Sequence, residues 1–137
     1  MKKILCFVLG WNELYLEQVL VEYDTIPILF VCKDKKGTYY LVLFADMEEF
    51  VYWVVEISPM KLSYLFHEGI TMREAFTTQQ YYWEVFAEED IESDRSRIRS
   101  METIDKSLLP KEGAYYKVLN EDVRKFVEKI AEERGQR

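Results

Sequence analysis

The stretch "RSRIRS", residues 95–100, puts Arg95, Arg97 and Arg99 at every second position. Side chains alternate across an extended backbone, so a strand here aims all three guanidinium groups to one side. Planar forks pointing one way can chelate a phosphate or carboxylate through charge-assisted hydrogen bonds. Counter-charges stand directly upstream, where Glu88, Glu89, Asp90, Glu92 and Asp94 crowd the chain. Pairing with those acids would make the run a balanced, solvated surface instead, since exposed ion pairs contribute only about 0–1 kcal/mol.

Arg73, in "GITMREAF" at 69–76, is a second candidate anion grip. Facing a groove lined by Tyr52 and Trp53 of "FVYWVVEI", its guanidinium would hold the charge of a nucleotide-like ligand while the rings stack on the ligand's planar part. His67 is the single histidine. His67-Glu68 opens like H-E-x-x-H, but Thr71 stands where the second zinc ligand belongs, and Cys6 and Cys32 lie too far apart in sequence to complete a set. A Ser or Cys nucleophile would have only His67 as its histidine base, there is no G-x-S-x-G elbow, and the five glycines are scattered. A hydrolase using His67 with nearby carboxylates is thus the least supported function. A histidine in the last turn of a helix is more at home against the terminal carbonyls. The expectation is no catalytic residue, no metal and no cofactor.

The elements that must position these groups follow from periodicity. Three apolar, β-branched and aromatic runs, "IPILFVC", "TYYLVLF" and "FVYWVVEI", read as an antiparallel meander over 26–57, with Gly37 at the first turn. The third run is apolar on both faces, as in a strand covered on both sides. Residues 4–9 and 14–21 read as further strands around Gly10, although Leu16, Val19, Leu20 and Tyr23 also fit a helix face. Ser58-Pro59 opens one short helix, and Thr71 with Glu74 forms a capping box that opens another. "YYWEVFAE" at 81–88 reads as a strand, 89–113 as a long polar connection, and "YYKVL" at 115–119 as a return to the sheet. Asn120 caps a final helix with Val123, Phe126, Val127 and Ile130 on one face. The predicted fold is α+β: a mostly meandering antiparallel sheet, two short central helices and a C-terminal amphipathic helix, in a single domain over 1–137.

Composition narrows function. A formal charge of −7 opposes a phosphate backbone and an anionic membrane surface, so neither nucleic acid nor membrane is an expected partner. The apolar run at 4–9 is shorter than a signal-peptide core, and both cysteines sit in apolar runs, which points to a cytoplasmic protein with reduced thiols. Aromatic residues make up 15% of the chain, more than one core of this size needs, and surplus rings suit a subunit interface or a ligand groove.

Glu22-Tyr23-Asp24 with Pro27 and Phe30, Tyr40-Leu41, Trp53, Leu62, Leu65 and the 69–76 segment together resemble a family of uncharacterised bacterial domains. In that family an acidic-aromatic opening precedes a tyrosine-rich hairpin and an arginine-bearing segment. The resemblance covers residues 22 to about 80. It brings no assigned reaction, and it implies that Arg73 pairs with Asp24 to tie the second helix to the sheet entrance. The leading expectation is a non-enzymatic, homo-oligomeric binding module that recognises a protein partner through an aromatic-rich surface. The alternative is a small-molecule binder that sequesters an anionic ligand.

Overall fold

Nearly every apolar run in the first 57 residues becomes a strand. The computed structural model describes residues 3–87 and 95–135. In chain order it contains β1 (Leu5–Leu9), β2 (Asn12–Tyr23), β3 (Ile26–Lys33), β4 (Tyr39–Asp46) and β5 (Val51–Ile57), then α1 (Pro59–Phe66) and α2 (Met72–Thr77), then β6 (Tyr81–Phe86), β7 (Arg95–Ser100) and α3 (Glu121–Gly135). All seven strands join one antiparallel sheet whose spatial order is the sequence order, β1 to β7. The architecture is α+β.

The turns explain the simple topology. Asp34 closes the β3–β4 connection, its Oδ1 accepting the N–H groups of Lys36 at 2.9 Å and Thr38 at 3.0 Å, while Gly37 supplies a φ of +95°. Between β2 and β3 the register pairs Tyr23 with Ile26, leaving a two-residue loop in which Asp24 and Thr25 both take positive φ, 51° and 66°. That is the pattern of a turn matched to strand twist.

The sheet is not flat. Phe7 on β1 and Tyr52 on β5 are four strand steps apart, about 19 Å at ~4.8 Å per step. Their ring centroids nevertheless lie 5.1 Å apart. The sheet has curled until its first strand meets its fifth across the inner face. Irregular pairing at Leu5/Phe7 on β1 and at three places along β2 supplies the bend, as bulges do.

Curling gives the strands two cores. On the outer face Leu41, Trp53, Val55 and Ile57 pack beneath α1 and α3, reached by Leu62, Leu65, Val123, Phe126 and Ile130. On the inner face Phe7, Leu14, Phe30, Tyr40, Val42, Val54 and Val85 pack against one another. Most of the aromatic surplus lies in these cores rather than on a surface; Trp11, Tyr23, Phe50, Tyr64, Tyr81 and Tyr115 are the exposed rings among the described residues.

Two expectations change. Of the run 89–113, read as one polar connection, residues 89–94 lie outside the described residues, as do the acids Glu88, Glu89, Asp90, Glu92 and Asp94 expected to pair with the arginines. The rest contains β7, a strand with Ile98 as its one aliphatic side chain, followed by short 3-10 turns at Met101–Thr103 and Lys106–Leu108. An edge strand needs no apolar alternation, because its backbone pairs on one side and its side chains stay wet. Residues 115–119 do not return to the sheet; instead Tyr116 inserts into the outer core and donates its phenol to the Leu20 carbonyl at 2.9 Å.

Candidate functional site

The β5–β6–β7 register sets Trp53 opposite Glu84 and Glu84 opposite Arg97. Directly opposed residues share a face, so all three point outward on the helix-covered side of the sheet. The alternation that puts Arg97 there also puts Arg95 and Arg99 there, opposite Phe86 and Tyr82. The arginine row expected from sequence therefore exists, and Trp53 lies two strands away from it.

Glu84, which sequence reasoning did not single out, joins the two. Its carboxylate is buried at the edge of the core. Oε2 accepts the Trp53 indole N–H at 3.2 Å, while Oε1 accepts Arg97 Nη2 at 2.7 Å, Arg97 Nε at 3.0 Å and Arg99 Nη1 at 3.4 Å. Burial pushes the Glu84 carboxyl up, but hydrogen bonds from Arg97 and Trp53 and the charges of Arg97 and Arg99 outweigh it and hold the carboxyl below its ordinary range. The acid stays ionised and neutralises part of the row. The signal for it was an acid inside an aromatic strand, at a position whose strand neighbours Tyr82 and Phe86 are apolar on the same face.

Arg97 is not consumed by this contact, since its side chain remains 59% exposed. Its guanidinium lies 5.4 Å from the centre of the Phe86 ring, and with Arg95 and Ser96 it lines a hollow of about 300 Å³ at the end of β7. Ile98 points to the opposite face, opposite Trp83, and is exposed.

The other expected residues are placed elsewhere. Tyr52 points into the inner core, stacked on Phe44 at 4.3 Å, so Tyr52 and Trp53 do not line one groove. Arg73 does not pair with Asp24. Its Nε donates to the Pro110 carbonyl at 2.8 Å and its Nη2 to the Lys106 carbonyl at 2.9 Å, so it binds the backbone that follows β7. Neither carbonyl has a strand partner; the Lys106 carbonyl also closes its 3-10 turn by accepting the Leu109 N–H at 3.3 Å, and the guanidinium fork adds a donor to each.

His67 is exposed at the end of α1, with Nδ1 2.8 Å from the Ser63 carbonyl. Cys6 and Cys32 are free thiols on the inner face; their mutual interaction lowers Cys6 and, together with burial, raises Cys32, while the Cys6 thiol donates to the Ile4 carbonyl at 3.9 Å. Among the described residues no group of three His, Cys, Asp or Glu side chains is placed to hold a metal ion, and no helix is long and apolar enough to cross a membrane. Comparison with protein-family models, with curated proteins and with solved structures finds no match to this chain.

Proposed function

We propose that the chain is a non-enzymatic binding module that accepts an extended, acidic segment of a protein partner along the open edge of β7. The observation that carries this reading is the edge itself. β7 ends the sheet, no described strand pairs with its outer side, and it presents Arg95, Arg97 and Arg99 on one face and exposed Ile98 on the other.

An edge strand offers a row of backbone donors and acceptors that an added strand can complete, with alternate side chains setting specificity. An incoming strand that alternates carboxylates and apolar residues meets arginine on one face and Ile98 on the other. A second copy is the poorer occupant. Antiparallel pairing of two β7 strands with matched faces sets arginine opposite arginine, which is unfavourable. Glu84 anchors Arg97 and Arg99 from behind, and Arg97 stays 59% exposed beyond that contact. The free thiols suit the reducing, cytoplasmic setting of this reading.

The hollow beside Phe86, Arg95 and Arg97 favours a second reading, in which the same arginines hold a small anionic ligand stacked on Phe86.

The test is titration of labelled protein with an acetylated heptapeptide alternating glutamate and valine, its lysine-valine counterpart, and inorganic phosphate. Binding of the acidic peptide alone, with new protection of β7 amides and loss on combined replacement of Arg95, Arg97 and Arg99 by Gln, supports strand addition. Phosphate binding without peptide binding supports the second reading. Equal response to both peptides, or response away from β7, overturns the proposal, as does a concentration-dependent dimer whose interface is β7.

A further inference from the structure

At the far end of β5 the chain turns from sheet into α1, and a cavity of about 600 Å³ opens between that corner and the β3–β4 hairpin. Ile57, Pro59 and Tyr64 line it with apolar and aromatic surface, and Lys36 and Lys61 contribute the cations. Lys61 is the anomaly. It is partly buried, and burial alone pushes its ammonium below the ordinary lysine value. Among the described residues no ion pair or side-chain hydrogen bond compensates it, although acids outnumber bases by seven in the chain. Lys33, the other partly buried lysine among the described residues, reaches Glu17 and Glu133, whereas the exposed lysines are mixed, Lys35 and Lys129 being paired and Lys36, Lys106, Lys111, Lys117 and Lys125 not. Glu56 lines the same cavity without pairing with Lys61.

A partly buried cation that lines a cavity and has no counter-charge is a binding-site arrangement, because the missing charge is what a ligand supplies. The volume falls within the range of small-molecule sites. We infer that this cavity binds a small oxyanionic compound, a phosphate or carboxylate, whose head group meets Lys61 while its body lies against Tyr64. Thr38 and Gln79 line the cavity and supply uncharged hydrogen-bonding groups for the rest of such a ligand. The site is separate from the β7 edge and does not depend on the reading given for it.

Pyrophosphate and succinate are the probes, titrated calorimetrically into wild type, Lys61→Met and, as a control for net charge, Lys117→Met. One probe should bind wild type saturably at millimolar concentration or below, identifying the head group, and Lys61→Met should weaken it about tenfold or more, the worth of a charge-assisted hydrogen bond. Lys117→Met should leave it unchanged. Lys61→Met should also raise the melting temperature, since it removes a cation held partly out of water. No saturable binding of either probe to wild type, or equal weakening by both substitutions, overturns the inference.

Discussion

Trp53 and Glu84 sit side by side on neighbouring strands, the indole N–H donating to the carboxylate at 3.2 Å. Because Arg97 takes the other oxygen at 2.7 Å, a single acid connects the packed core to the last strand of the sheet. Its removal should be felt at both ends.

Glu84→Gln is expected to lower stability by about 1.5–3 kcal/mol, the range for hydrogen bonds to a charged group, as read from urea unfolding. The loss should depend on pH. Glu84 is held below its ordinary value when folded, so its contribution is fully present above about pH 4.3, the unfolded value, and fades as pH falls through the folded value. The stability gap between wild type and Glu84→Gln should therefore be constant from neutral pH to about 5 and narrow below about 4. A gap that widens on acidification would contradict the assignment.

Phe7→Ala removes the ring by which β1 reaches β5. A buried phenylalanine lost to alanine typically costs about 3–5 kcal/mol, and hydrogen exchange at β1 amides should accelerate more than at β4, whose ladders continue on both sides. Uniform acceleration across the sheet would show that the inner face does not depend on this contact.

Arg73→Lys keeps the charge but cannot supply the two-pronged donation to the Lys106 and Pro110 carbonyls. Exchange protection over residues 101–113 should fall while the ladders among β2–β5 remain protected. Full protection with lysine would mean that charge alone positions this segment.

Thr71→Ala should destabilise by about 0.5–2 kcal/mol, because Thr71 Oγ1 accepts the Glu74 N–H at 3.1 Å and Glu74 Oε1 accepts the Thr71 N–H at 2.9 Å. Thr71→Ser should restore most of the loss. Equal melting of all three proteins would count against the cap.

The strands β3, β4 and β5 were legible because they are covered on both faces, so burial leaves continuous β-branched and aromatic runs. The caps at Thr71 and Asn120 were legible because capping is local: Asn120 Oδ1 takes the Val123 N–H at 2.9 Å. β7 was not legible as an element, since its strand character comes from pairing with β6 rather than from its own sequence. The common direction of its arginines was legible, because alternation requires only an extended backbone. The partnership of Glu84 was hidden, since an acid in a strand looks solvated until the register places Trp53 beside it. The separation of Tyr52 from Trp53 follows from that same alternation, applied to adjacent positions. The curl was hidden too, because it arises from irregular pairing along β1 and β2, and so was the Asp24-Thr25 turn, which carries no glycine.

Strand order that repeats chain order has a consequence for how the molecule is made. Each ladder joins segments adjacent in sequence, so the sheet can assemble hairpin by hairpin as the chain emerges, with small loop-closure costs at most steps. Its outer cover is different: Tyr116 and Leu20 are 96 positions apart, and Tyr39 and Glu133 are 94 apart. A growing chain therefore exposes the apolar underside of Leu41, Trp53 and Val55 until α3 has emerged, and this interval is when it most needs protection from its neighbours.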